Sequence, residues 1–128
     1  MPDYFYGPQA EQFAFYRIPK ALFTDPAFRS ISTDAKVLYG LLLDRMSLSA
    51  RNDWLDEQGR VYIVFTVEEI MESLACGNKK AVGLLRELEV GAGLIERRRQ
   101  GLGKPNLIYV KNFIEGNFLK CPNDTSVS

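Results

Sequence analysis

The chain has no histidine among its 128 residues, only two cysteines and a single tryptophan. Without histidine, a Ser-His-Asp triad, a His-assisted cysteine nucleophile and a His-ligated zinc site are all excluded. A nicking enzyme that holds its metal through histidines is excluded with them. Cys76 and Cys121 are too few for a four-thiolate site and form no Cys-x-x-Cys motif. They are expected to be free thiols in a reducing cytoplasm rather than a disulfide. No metal, no cofactor and no catalytic residue is expected, because carboxylates alone would have to carry any chemistry. Long apolar runs are missing too: none approaches the roughly 20 residues a membrane helix needs. The start, Met1-Pro-Asp-Tyr-Phe-Tyr6, lacks the basic and apolar segments of a secretory signal. These features predict a soluble cytoplasmic domain without a membrane partner.

Net charge is also absent, since 16 basic side chains face 16 acidic ones. Its distribution is uneven. Residues 79–111 hold eight basic against three acidic side chains, a net +5, which leaves −5 on the rest. Such asymmetry in a small domain implies an oriented electrostatic surface, although a chance surface cluster would give the same arithmetic.

Residues 1–12 read as an N-terminal arm that packs through Tyr4, Phe5 and Tyr6. Residues 13–114 read as one domain, and 115–128 as a tail or a linker to a missing domain. Within the domain, Phe13–Ile18 alternates as a short strand that Pro19 closes. Ala21–Ser30 suggests one or two helical turns broken at Pro26. Ser32 or Thr33 then caps a long helix reaching about Ser49. Its apolar residues cover most of its circumference, so it is either the central helix or meets a second chain. Val61–Phe65 has strand composition. Thr66-Val-Glu-Glu69 is a capping box opening a short helix, which Ala75-Cys-Gly77 breaks. Asn78 is expected to cap the next helix, about 79–90, which turns Ala81, Leu84, Leu85 and Leu88 inward and Lys79, Gly83, Arg86 and Val90 outward. Leu94–Gln100 and Asn106–Val110 complete the domain as a hairpin.

This order is that of a winged helix-turn-helix: an α+β domain with three main helices, a C-terminal β-hairpin wing and an extra N-terminal strand. Its second short helix can enter a DNA major groove while the wing grips phosphates or a minor groove. The candidate DNA-binding residues are Asn78, Lys79, Lys80, Gly83 and Arg86 on the helix, with Arg97, Arg98, Arg99 and Lys104 in the wing. Lysines at a helix N-terminus oppose the dipole, which favours a ligand over a merely solvated turn. Arg86 either contacts DNA or pairs with Glu87 or Glu89. Strand alternation puts Arg97 and Arg99 on one side and Arg98 on the other. Gly101-Leu-Gly-Lys104 lacks the spacing of a phosphate-binding P-loop. Glu68, Glu69 and Glu72, the remaining candidates for carboxylate chemistry, lie on a solvated helix face.

Phe15-Tyr-Arg-Ile-Pro-Lys20, Thr33 to Ser47, Thr66-Val-Glu-Glu-Ile-Met71 and Gly93 to Val110 resemble the N-terminal domain of plasmid replication initiator protein A. The string Arg-Gln-Gly-Leu-Gly-Lys-Pro105 is the most specific part. The resemblance implies a usually dimeric winged helix that binds double-stranded DNA at repeated origin sites of a plasmid or integrative element. It also implies a further C-terminal part that recruits host replication proteins. Gly83 departs from the pattern, which commonly has a basic residue there. A transcriptional regulator, or an interaction module docking an acidic partner, would share the same surface.

Overall fold

The structure is a computed structural model that describes residues 2–7 and 13–112. The end of the domain, the tail at 115–128, part of the arm and Cys121 fall outside the described residues. Two short turns lead in: α1 (Ala21–Thr24) and a 3-10 turn (Pro26–Phe28) held by the Asp25 carboxylate, which accepts from the Ala27 amide at 2.9 Å. The long helix α2 (Thr33–Arg51) follows. Ser32 Oγ accepts from the Ala35 amide at 3.1 Å, Asp34 suits the positive end and Arg51 the negative one. Ala35, Leu38, Tyr39, Leu41 and Leu42 are buried, and α2 is the central helix. Burial pushes the Tyr39 hydroxyl up to about 12, and the same hydroxyl donates to the Lys111 carbonyl at 3.0 Å. This bond ties the end of the hairpin to the central helix.

Helices α3 (Val67–Leu74) and α4 (Asn78–Arg86) pack on each other and α4 packs on α2, with Ile70 of α3 joining the same core cluster. The capping box of α3 is complete: Thr66 Oγ1 accepts from the Glu69 amide at 3.1 Å, and Glu69 Oε1 accepts from the Thr66 amide at 2.9 Å. Ala75 ends α3 with φ 52°, ψ 51°, and the Cys76 amide closes the turn on the Met71 carbonyl. A π-turn, Glu87–Gly91, extends α4 and delivers the chain to β1 (Ile95–Arg98) and β2 (Leu107–Val110). The strands are antiparallel, with Arg97 opposite Ile108 and Glu96 opposite Tyr109. The π-turn also fixes its neighbours through two carboxylates. Glu87 accepts from the amide and hydroxyl of Ser32 at 2.7 and 2.9 Å, and Glu89 accepts from the amide and Nε of Arg97 at 3.2 and 2.8 Å. The start of α2, the end of α4 and the start of the wing thus share one junction.

Helix, helix-turn-helix and hairpin follow the predicted order, but three details differ. Residues 13–18 form no strand. The Arg17 carbonyl and the Ile18 side chain lie against Gly40 of α2, where an added Cβ would come within 3.1 and 2.9 Å of them. That segment packs on a helix, not on a sheet edge. Val61–Phe65 forms only two isolated bridges, Val61 to Leu55 and Ile63 to Ile108. The partner changes within three residues, so no ladder develops. Asn78 is not a cap: Gly77 holds that position and α4 has no side-chain cap, because Ala75 ends α3 early enough for Asn78 to become the first helical residue.

Candidate nucleic-acid interface

The exposed side of α4 carries Asn78, Lys79, Lys80 and Arg86. Gly83 lies between them on the outward side, with open space where a side chain would extend. A cleft of about 270 Å³ separates the first turn of α3 from the wing, lined by Thr66, Val67, Leu85, Arg97, Lys104 and Asn106 among others. The cleft therefore brings Arg97 and Lys104 of the wing together beside Glu68 of α3, and none of the outward cations of α4 lines it. Strand register explains why Arg97 is there: it lies opposite Ile108, on the face of the hairpin that meets the core.

Arg98 takes the other face. It stacks over the Tyr109 ring at 5.2 Å while Arg60 lies over the same ring at 4.9 Å. Asp56 organises this second cluster by accepting from the amides of Gln58 and Arg60, from Arg60 Nε at 2.8 Å and from the Tyr109 hydroxyl at 3.1 Å. Partial desolvation raises the Asp56 carboxyl, but the bonds from Arg60, Gln58 and Tyr109 outweigh it and hold the group at about 2.

The basic residues also divide by pairing. Lys80 meets Asp34 at the start of α2, which raises its pKa through that hydrogen bond and the attached charge. Arg97 is bound to Glu89, and Arg98 to Glu96 at 2.9 Å. Lys79, Arg86, Arg99 and Lys104 are exposed, with no ion pair among the described residues. Glu87 and Glu89, the carboxylates within reach of Arg86 in sequence, are engaged by Ser32 and Arg97. Sequence reading did not identify Asp34 as the partner of Lys80. In sequence Asp34 is only an acidic residue in the first turn of α2, and the pairing depends on how α4 crosses α2.

Fold and site together define a winged helix-turn-helix domain. A family model described as "Replication initiator protein A (RepA) N-terminus" matches residues 14–120. The chain belongs to this family. It is 30% identical over 108 residues to a "41 kDa protein" of Lactobacillus helveticus, an alignment covering 84% of this chain and 30% of that one. The chain thus spans less than a third of that relative's length. Among solved structures, the "N-Terminal domain of DNA binding protein" superposes with a TM-score of 0.71 at 37% identity, covering 88% of this chain and 85% of the other. The "Structure of Rep-DNA complex" gives 0.71 at 37% identity, covering 86% and 84%. The "Structure of MDR initiator" gives 0.68 at 35% identity, covering 86% of each.

Proposed function

We propose that this domain binds double-stranded DNA sequence-specifically, as the N-terminal part of a cytoplasmic replication initiator of a plasmid or integrative element, and acts by binding rather than by catalysis. The observation that carries this reading is a set of exposed cations without an ion pair among the described residues, Lys79 and Arg86 on α4 with Arg99 and Lys104 in the wing, set on a helix-turn-helix of this family. Helix α4 enters the major groove N-terminus first, and its uncapped first amides face phosphate oxygens. Lys79 and Arg86 reach base edges and phosphates, with Asn78, Lys80 and Gly83 shaping the same face. Lys104 and Arg99 hold the DNA backbone from the wing, and Arg97, held by Glu89, braces the wing itself beside the cleft. Arg98 contributes through the fold of the hairpin, since it belongs to the opposite face.

The functional unit is a homodimer. Tyr4, Phe5, Tyr6, Phe13, Phe15 and Tyr16 are all more than half exposed, more aromatic surface than a monomer ordinarily leaves uncovered. A two-fold pairing through this arm and α2 would place two copies of α4 roughly 34 Å apart, one DNA turn. Selection from a random duplex pool tests both parts. The expected product is a motif of two half-sites with centres about 10 base pairs apart, bound by a chain that sediments as a dimer at micromolar concentration. A pool that enriches no motif would contradict DNA recognition, and a monomer at that concentration would contradict the pairing.

A further inference from the structure

Leu102 stands at the tip of the wing with a relative exposure of 103%, the highest among the exposed large hydrophobic residues described. Isolated exposed leucines are common and need no explanation. The setting of this one is unusual in three respects.

First, the backbone is built to project it alone. Gly101 and Gly103 flank it with φ of 129° and 77°, a region that side-chain-bearing residues rarely adopt. Apart from their chain neighbours, neither glycine has an atom within 4 Å of where its Cβ would be, so the turn is open on both sides of the leucine. Second, the loop that presents it is fastened. Gln100 Nε2 donates to the Pro105 carbonyl at 2.7 Å across the base, and the Lys104 amide donates to the Gly101 carbonyl at 3.3 Å around the tip. Third, the nearest charged residues on either side in the chain, Arg99 and Lys104, are exposed cations without an ion pair among the described residues. The tip therefore reads cation, apolar group, cation. The duplex minor groove has the complementary arrangement, two phosphate rims around a floor of sugars and base edges. It is only about 6 Å wide, so a single side chain on a glycine-flanked turn enters where a fully substituted hairpin would not.

We infer that Leu102 is an apolar wedge which the wing inserts into the minor groove, packing on the sugars and partly unstacking one base-pair step while Arg99 and Lys104 hold the two rims. The inference rests on the DNA-binding reading above and adds a specificity element to it. Pyrimidine–purine steps unstack most easily, so Leu102 selects for TA or CA/TG at its insertion point without a hydrogen bond to any base.

The test uses a duplex recovered from a random pool with the wild-type chain, rebuilt with 2-aminopurine in place of successive adenines along the wing side. Wild type is expected to raise the fluorescence several-fold at one pyrimidine–purine step. Leu102→Ala should abolish that rise and weaken binding about tenfold through lost apolar contact. It should leave the salt dependence unchanged, because no charge is removed. Leu102→Phe should keep both the rise and the affinity. Since the side chain is fully exposed, all three proteins should melt at the same temperature. Wild-type affinity or an intact fluorescence rise in Leu102→Ala would overturn the wedge while leaving DNA binding standing. Failure of the wild-type chain to bind any duplex would remove both readings.

Discussion

Two mid-helix glycines show how far the meaning of a residue depends on its surroundings. Gly40 in α2 and Gly83 in α4 carry the same intrinsic penalty, about 1 kcal/mol relative to alanine. Around Gly83 there is open space, so Gly83→Ala should recover most of that penalty and raise the melting temperature by a few degrees. At Gly40 a new methyl would meet Ile18 and the Arg17 carbonyl, and overpacking of this kind costs about 1–3 kcal/mol. Gly40→Ala is therefore expected to destabilise despite its better propensity, and thermal melts of the two variants should move in opposite directions. Asp56 makes a second case. Its folded carboxyl lies at about 2, below the ordinary 3.8, so its contribution is fully present above about pH 4 and is lost as the pH falls through 2. The gap in melting temperature between wild type and Asp56→Asn should stay constant from pH 7 to 5 and close between 4 and 2. A gap independent of pH would contradict this role for the Asp56 carboxylate.

At the scale of elements, local signals were the legible ones. The capping box at Thr66–Glu69, the apolar stripe of α4 and the glycine-rich wing loop each announce themselves within a few residues, because caps and amphipathic faces are set by near neighbours. Strands depend on a partner edge, and here the sequence misleads. Phe13–Ile18 alternates like a strand but meets α2, and Val61–Phe65 has strand composition but pairs in two directions at once. The opposite facing of Arg97 and Arg98 was readable from alternation, since Arg97 lines the cleft and Arg98 the Tyr109 face, while Arg99 follows the end of β1. What sequence could not supply was the pairing. Asp34 with Lys80 and Glu89 with Arg97 arise from the crossing of separate elements, and they decide which cations remain available to a polyanion.

At the scale of the molecule, zero net charge conceals a basic module set in an acidic remainder. Among the described residues, pairing removes Lys80, Arg97 and Arg98 from the eight basic side chains of residues 79–111, and of the five left Lys111 lies beyond β2, outside α4 and the wing loop. If Lys79, Arg86, Arg99 and Lys104 each neutralise one phosphate, log affinity should fall against log salt with a slope of about −3.6 per domain. The most direct test measures that slope on a selected duplex for wild type and for single alanine variants. The account predicts that each of the four replacements lowers the magnitude of the slope by about 0.9, whereas Arg98→Ala leaves it unchanged. A flat response in wild type, or an equal loss on removing Arg98, would contradict it.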